Sequence, residues 1–300
     1  RAYFLHNVYK DPKTGRKINI TTPAMSLGIA VHAVLEPLAL VKAEERMKLP
    51  LFDLYEKEWS KVTGKRGGFL TKEEEDEAKE RGKKMIERVI THPNPLVQKA
   101  LRIKEELPWY YLSEKDDIIL CGKVDWMQYV PEDDSVHILD FKTGKHDEKG
   151  ESLQLPIYHL LVHNCQKRKV SGASYWYIDR DDTPKPVELP NLEDAYRRVY
   201  EVAIQVKKAR DAKEFICPKG GCMHCEPTWK ETPIISSVAA RARRSRAGAS
   251  SGRSGSWRSA TTSCRPPWPA ASGSSPCWTT ATTSPRSPRP GRWCLRRRSA

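Results

Sequence analysis

Residues 121–145 read CGKVDWMQYVPEDDSVHILDFKTGK, and this stretch decides the fold. Two runs rich in β-branched and aromatic residues, DIILCGKVDWMQYV (117–130) and VHILDFK (136–142), flank Pro131-Glu132-Asp133-Asp134. The composition predicts two strands joined by a turn. If Val130 and Ser135 close a four-residue loop, Asp125 in one strand falls opposite Asp140 in the next. The two carboxylates then share a face of the sheet, with Cβ atoms roughly 4.5–5.5 Å apart. Like charges at that spacing destabilise the pair unless a positive charge lies between them. A hard divalent cation, which prefers carboxylate oxygens, meets that need. Lys142 follows Asp140 by two and projects from the same face, whereas Leu139 and Phe141 project from the other, into the core. A metal beside an ammonium is suited to phosphoryl chemistry. The metal lowers the pKa of bound water and polarises a phosphoryl oxygen. The lysine orients that water or neutralises developing charge. An isolated Asp-x-Lys is common on solvated hairpin faces; the matched register and the apolar flanks set this one apart.

Outward from the hairpin, SLGIAVHAVLE (26–36) has helical periodicity, with Ser26 as N-cap and Pro37 ending it. Residues 71–90 open on the capping-box pair Thr71 and Glu74 and stop at His92-Pro93-Asn94-Pro95. LPWYYL (107–112) and GASYWYID (172–179) read as strands. ESLQLPIYHLLVHNC (151–165) reads as a helix that tolerates Pro156 only near its first turn, and residues 192–215 form a long amphipathic helix. The order α, α, β, β, β, α, β, α describes one α/β domain over residues 1–237, with no internal repeat.

The chain has 300 residues, 52 Lys+Arg, 38 Asp+Glu and a net charge of +14. Residues 238–300 hold 13 Arg and no Lys, Asp or Glu, so residues 1–237 carry 39 basic against 38 acidic groups, a net of +1. The basic balance therefore says nothing about nucleic-acid binding by the domain. The 63-residue tail has one Leu, one Val and no Ile, Phe or Tyr, and is expected to be disordered. Its switch from Lys to Arg, with four Trp and three Cys, suggests an out-of-frame reading of GC-rich coding sequence. A start at Arg1 suggests a truncated N-terminus. No apolar run of 18 residues is evident, so no membrane span is expected. Five Cys in the domain, an odd number, do not suggest a disulfide framework, and a reducing cytoplasm is the expected compartment.

Four ordered segments give the sequence its resemblance to the PD-(D/E)XK nuclease superfamily. They are GIAVH ending at His32, GKVD ending at Asp125, ILDFKTGK carrying Asp140 and Lys142, and LQLPIY carrying Gln154 and Tyr158. The last is similar to the Q-x-x-x-Y of the RecB/AddB-like exonuclease branch, which includes the CRISPR-associated adaptation nucleases. The resemblance spans about residues 2–226. It implies a restriction-endonuclease-like core, a mixed central sheet flanked by helices. It also implies a metal-dependent DNA nuclease, an exonuclease of DNA repair or recombination. By the same resemblance His32, Asp125, Asp140 and the backbone carbonyl of Phe141 would ligate Mg2+ or Mn2+. Lys142 would be the catalytic lysine, with Gln154 and Tyr158 against the active site, touching Lys142 or the DNA. Gln154 and Tyr158 lie at i and i+4, on one helix face. Glu36, one turn after His32, would orient it or help hold a second ion. The partners implied are DNA and a helicase, recombination or CRISPR-adaptation protein, with no membrane.

FICPKGGCMHC places Cys217, Cys222 and Cys225 within nine residues. Three thiols do not complete a tetrahedral or cubane site. In iron–sulfur members of the branch a fourth Cys lies far N-terminal, ahead of an aromatic stretch that RAYFLHNVYK (1–10) resembles. A [4Fe-4S] cluster, a zinc site and free thiols stay open. Two other functions compete with the nuclease: a non-catalytic nucleic-acid-binding module of the same fold, and a zinc-ribbon interaction protein. The intact His32, Asp125, Asp140 and Lys142 set favours the nuclease. A phosphate patch of Lys123, Lys142 and Lys145 is expected at the site.

Overall fold

The computed structural model describes residues 7–10, 15, 17, 21–105, 107–148, 150–215 and 294–296. The chain divides into two compact units. The larger comprises Ile20–Gln205 and Ala281–Arg298, and holds every element that follows except the end of the last helix. Of the smaller, the described residues show an isolated bridge between Lys10 and Lys17 and the final turns of that helix.

Helix α1 (Pro23–Leu35) begins one turn before the expected cap. Thr22, not Ser26, is the N-cap: its Oγ1 accepts from the Met25 N–H at 3.3 Å, and Pro23 opens the helix. Ser26 lies inside the first turn, where its hydroxyl donates to the Gly67 carbonyl at 2.8 Å. Pro37 does end the helix, which passes into a 3-10 turn over Glu36–Leu40. Then come three short helices, α2 (Ala43–Arg46), α3 (Leu51–Trp59) and α4 (Gly64–Gly67), and the long α5 (Lys72–Thr91). Thr71 caps α5 by accepting from Glu74 N–H at 3.2 Å; Glu74 reaches back to the Leu70 N–H rather than to that of Thr71.

The strands are β1 (Ala100–Leu101), β2 (Trp109–Ser113), β3 (Ile118–Cys121), β4 (Trp126–Val130) and β5 (Ser135–Lys142). Helix α6 (Gln154–Cys165), β6 (Val170–Tyr177), β7 (Lys185–Val187) and α7 (Leu192–Asp211) follow. The central sheet runs β1-β4-β5-β6-β7, with β5 and β6 parallel and every other pair antiparallel. Helix α6 makes the crossover that a parallel pair requires. Pro156 sits in its first turn, where the missing N–H matters least. The hairpin register is the expected one: Val130 pairs with Ser135 and Trp126 with Leu139.

The stretch 117–130 is not one strand. It is cut at Gly122–Asp125, so that β3 pairs with β2 in a second sheet while β4 enters the central one. Asp125 therefore sits at the mouth of β4 rather than within a strand. Within the tail, the described residues Cys294–Arg296 form β8, which pairs antiparallel with β3. An edge strand offers open backbone donors and acceptors to any extended segment, whatever its composition. The rest of 238–300 lies outside the described residues, as do Cys217, Cys222 and Cys225.

Both faces of the central sheet are buried. On one, Trp126, Leu139, Phe141 and Trp176 pack with α1, α3 and α5 side chains such as Val31, Leu35, Tyr55, Trp59 and Met85. On the other, Met127, Val136, Ile138 and Ala173 pack against α6 and α7. Against the expectation that no such stretch exists, Pro23–Leu40 is long and apolar enough to count as a candidate membrane span. Here its apolar side chains Leu27, Val31, Val34, Leu35 and Leu38 are core residues. The guanidinium of the buried Arg46 ties the helical layer down. Its Nε donates to the carbonyls of Leu38 (2.9 Å) and Val41 (3.0 Å), its Nη1 to those of Leu96 and Gln98, and it lies 4.9 Å from the Trp126 ring centroid.

Candidate active site

Asp140 and Lys142 occupy the C-terminal end of β5, on the face turned toward α6. Asp125 reaches the same point from the start of β4. Its Oδ2 accepts from the Phe141 backbone N–H at 3.1 Å, which locks the carboxylate across the hairpin. Its Oδ1 accepts from the Tyr158 hydroxyl at 3.1 Å. Both aspartates are almost completely buried, at 4% and 1% exposure. Helix α6 supplies the connection between them. Gln154, its first residue, donates from Nε2 to Asp140 Oδ1 and to the Tyr158 hydroxyl, each at 3.1 Å, and accepts from Lys142 Nζ at 2.7 Å. The i, i+4 spacing of Gln154 and Tyr158 puts both polar groups on the face that meets the carboxylates.

His32 comes from α1. Its Nδ1 lies 3.1 Å from Glu36 Oε1 and 3.4 Å from Asp125 Oδ2. Donor atoms of His32, Glu36 and Asp125 lie within 4.8 Å of one another, a spacing that suits a metal ion. Glu36 also pairs with Lys123 through its other oxygen. Burial pushes Glu36 upward, but His32 and Lys123 outweigh it and hold its pKa below the usual value. The structure thus brings together every expected side chain outside the cysteine cluster: His32, Asp125, Asp140, Lys142, Gln154 and Tyr158.

The electrostatics call for a cation. Burial, then the charge of Glu36, raise Asp125 from 3.8 to about 6. Burial, then the neighbouring Asp125, raise Asp140 well above its ordinary range. Lys142 Nζ lies 2.7 Å from Asp140 Oδ2, but off the angle that a hydrogen bond needs. That oxygen is therefore buried without an aligned donor. Hard carboxylate oxygens, one unsatisfied, beside an imidazole fit a divalent cation such as Mg2+ or Mn2+.

A cavity of about 450 Å³ opens onto this cluster. One wall is α1, through Ala24, Met25, Gly28, Ile29 and His32; the other is β5 and the loop after it, through Thr143, Gly144, His146 and Glu148. Gly28 lets the walls approach, since a Cβ there would lie 3.2 Å from Thr143 Oγ1. The expected lysine patch needs correction. Lys123 is bound to Glu36, and Lys142 is bound to Asp140 and Glu148, so neither is an open phosphate contact. Burial drives the Lys142 pKa down, but Asp140 and Glu148 overcome it and the net shift is upward. Sequence reasoning missed Glu148. It is one acidic residue among the charges of 145–151, and no periodicity marks it.

No curated protein and no solved structure matches this chain. A family model does, over residues 1–229, and the mixed sheet with its paired aspartates and strand-end lysine lies within that span. On that match and this architecture, the chain belongs to the PD-(D/E)XK nuclease superfamily.

Proposed function

We propose that this chain is a metal-dependent deoxyribonuclease, an exonuclease of DNA repair or recombination from the RecB/AddB-like branch. The observation that carries the reading is the convergence of two buried aspartates, one with an oxygen lacking an aligned donor, beside Lys142. His32, Asp125, Asp140 and the Phe141 carbonyl are the ligands assigned to Mg2+ or Mn2+. When bound, such an ion supplies a water of lowered pKa and polarises the scissile phosphoryl group.

The chain's own residues do the positioning. Asp125 is fixed by the Phe141 N–H and the Tyr158 hydroxyl. Asp140 is fixed by Gln154. Gln154 also holds the Lys142 ammonium beside the carboxylates, where it orients the attacking water and neutralises charge developing on the phosphate. Glu36 accepts from His32 Nδ1 when that nitrogen carries the proton, and so orients the ring. The Q-x-x-x-Y pair on α6 supports the RecB/AddB-like assignment, and with it a helicase, recombination or CRISPR-adaptation partner and a cytoplasmic location.

The test is cleavage of end-labelled single- and double-stranded DNA with Mg2+, Mn2+ or EDTA. Degradation is expected with either metal and not with EDTA. Binding without cleavage under every condition would replace this reading with a non-catalytic DNA-binding module.

A further inference from the structure

The Lys142 ammonium is enclosed by polar and aromatic groups. It has three N–H groups and three acceptor oxygens within 2.8 Å: Asp140 Oδ2, Gln154 Oε1 and Glu148 Oε2. The Tyr175 ring, its centroid 4.8 Å away, covers a further side. An ammonium held in this way cannot meet a phosphate oxygen or an attacking water until one partner leaves.

The three partners differ in how firmly they are held. Asp140 is part of β5 and 1% exposed. Gln154 is the first residue of α6 and bonds Asp140 and Tyr158 as well. Glu148 lies on the loop between β5 and α6, its side chain is 28% exposed, and it lines the cavity. Its backbone N–H donates to the Tyr177 hydroxyl at 2.9 Å, which anchors the main chain, while the carboxylate itself is held, among the described residues, only by Lys142 and the Ser152 side chain. Both are anions, so the Glu148 carboxylate and a phosphate compete for the same ammonium.

We propose that Glu148 is a stand-in for the scissile phosphate: it caps Lys142 in the free protein and is displaced when a nucleic-acid phosphate enters the cavity. The proposal rests on the nuclease reading of this site and adds to it a self-blocking carboxylate. Empty, the site keeps its lysine charged and oriented. Occupied, Glu148 swings to solvent and the phosphate inherits its contact.

The experiment is a double-mutant cycle on DNA binding, read by anisotropy of a labelled oligonucleotide in EDTA so that nothing is cleaved. Glu148→Gln should bind roughly two- to fivefold more tightly than wild type, the range for losing one competing, partly exposed ion pair. In a Lys142→Met background the same substitution should gain little, because the ammonium being uncapped is gone. Asp147→Asn, one residue earlier and paired with Arg180, controls for a general loss of negative charge and should change affinity less than twofold. Thermal melts of each variant exclude misfolding, and the cycle can be closed with Lys142→Gln if Lys142→Met does not fold. Equal gains with and without Lys142, or weaker binding by Glu148→Gln, would overturn the proposal. Failure of the nuclease reading shows separately, as absence of Mg2+- or Mn2+-dependent cleavage by wild type.

Discussion

Asp125→Asn gives the most direct measure of the strain in this site. The carboxyl titrates at about 6 in the fold against an ordinary 3.8. Between those pH values the folded chain keeps a proton that the unfolded chain has released, so wild-type stability falls as pH rises, by about 1.4 kcal/mol per pH unit. Over the interval from 3.8 to about 6 this amounts to about 3 kcal/mol, fully lost above pH 6 and regained below pH 4. Asparagine does not titrate. It also offers one carbonyl oxygen where Asp125 uses two, for Phe141 and Tyr158, a loss of about 1 kcal/mol. In EDTA the variant should therefore be more stable than wild type by about 2 kcal/mol at pH 7.5, and less stable by about 1 kcal/mol at pH 4. Urea denaturation at the two pH values measures both differences. Saturating Mn2+ should reverse the order at pH 7.5, since an ion at 100 times its Kd adds about 2.7 kcal/mol to wild type and little to the variant. A difference of the same sign and size at both pH values would refute the claim that burial and Glu36 load this carboxylate.

Lys142→Ala should reduce metal-dependent cleavage at least a thousandfold while the far-ultraviolet spectrum is retained; near-normal turnover would remove the lysine from the chemistry. Gln154→Ala frees Asp140, Lys142 and Tyr158 together, so it should lower kcat by more than tenfold, with apo stability changed by about 1 kcal/mol as read in a thermal melt. Gly82→Ala tests the helical layer alone: a Cβ would lie 2.0 Å from the Tyr55 hydroxyl, so overpacking of about 1–3 kcal/mol should outweigh the helix-propensity gain of about 1 kcal/mol, and Tm should fall. For Cys217, Cys222 and Cys225, anaerobic purification of a chain with its N-terminus extended should give a brown protein absorbing in the visible if they bind an iron–sulfur cluster. A colourless protein with one equivalent of zinc would assign them to zinc instead.

What could be read from the sequence was local. The β4–β5 register follows from a short turn between two alternating strands, so Asp125 and Asp140 could be placed opposite each other without tertiary information. Gln154 and Tyr158 were legible because i, i+4 spacing fixes a helix face. The region from Pro37 to Leu70 was not legible. Its helices are short, and Tyr55 and Trp59 gain their role from contacts with distant residues, as the Tyr55 hydroxyl donating to the Lys79 carbonyl shows. The break at Gly122–Asp125 had a local signal, since Gly122, Lys123 and Asp125 are poor strand formers, but the strong strand formers on either side carried the reading across it, and only the passage from one sheet to the other shows where the strand ends. Glu148 became visible only once the loop geometry set it against Lys142.

The guanidinium of Arg46 has a consequence for how this domain comes apart. Its acceptors belong to two segments more than fifty residues apart, Leu38–Val41 and Leu96–Gln98, and the Glu44 carboxylate supports its charge without outweighing the cost of burial. A buried cation hydrogen-bonded through main-chain oxygens is stable while both segments are in place and costly once either departs. Loss of the turn after α1 would strand the charge against the segment entering the sheet, and fraying of that segment would strand it against the turn. The helical layer that carries His32 and the sheet that carries the aspartates should thus melt in one cooperative step, leaving no stable intermediate in which half of the site survives.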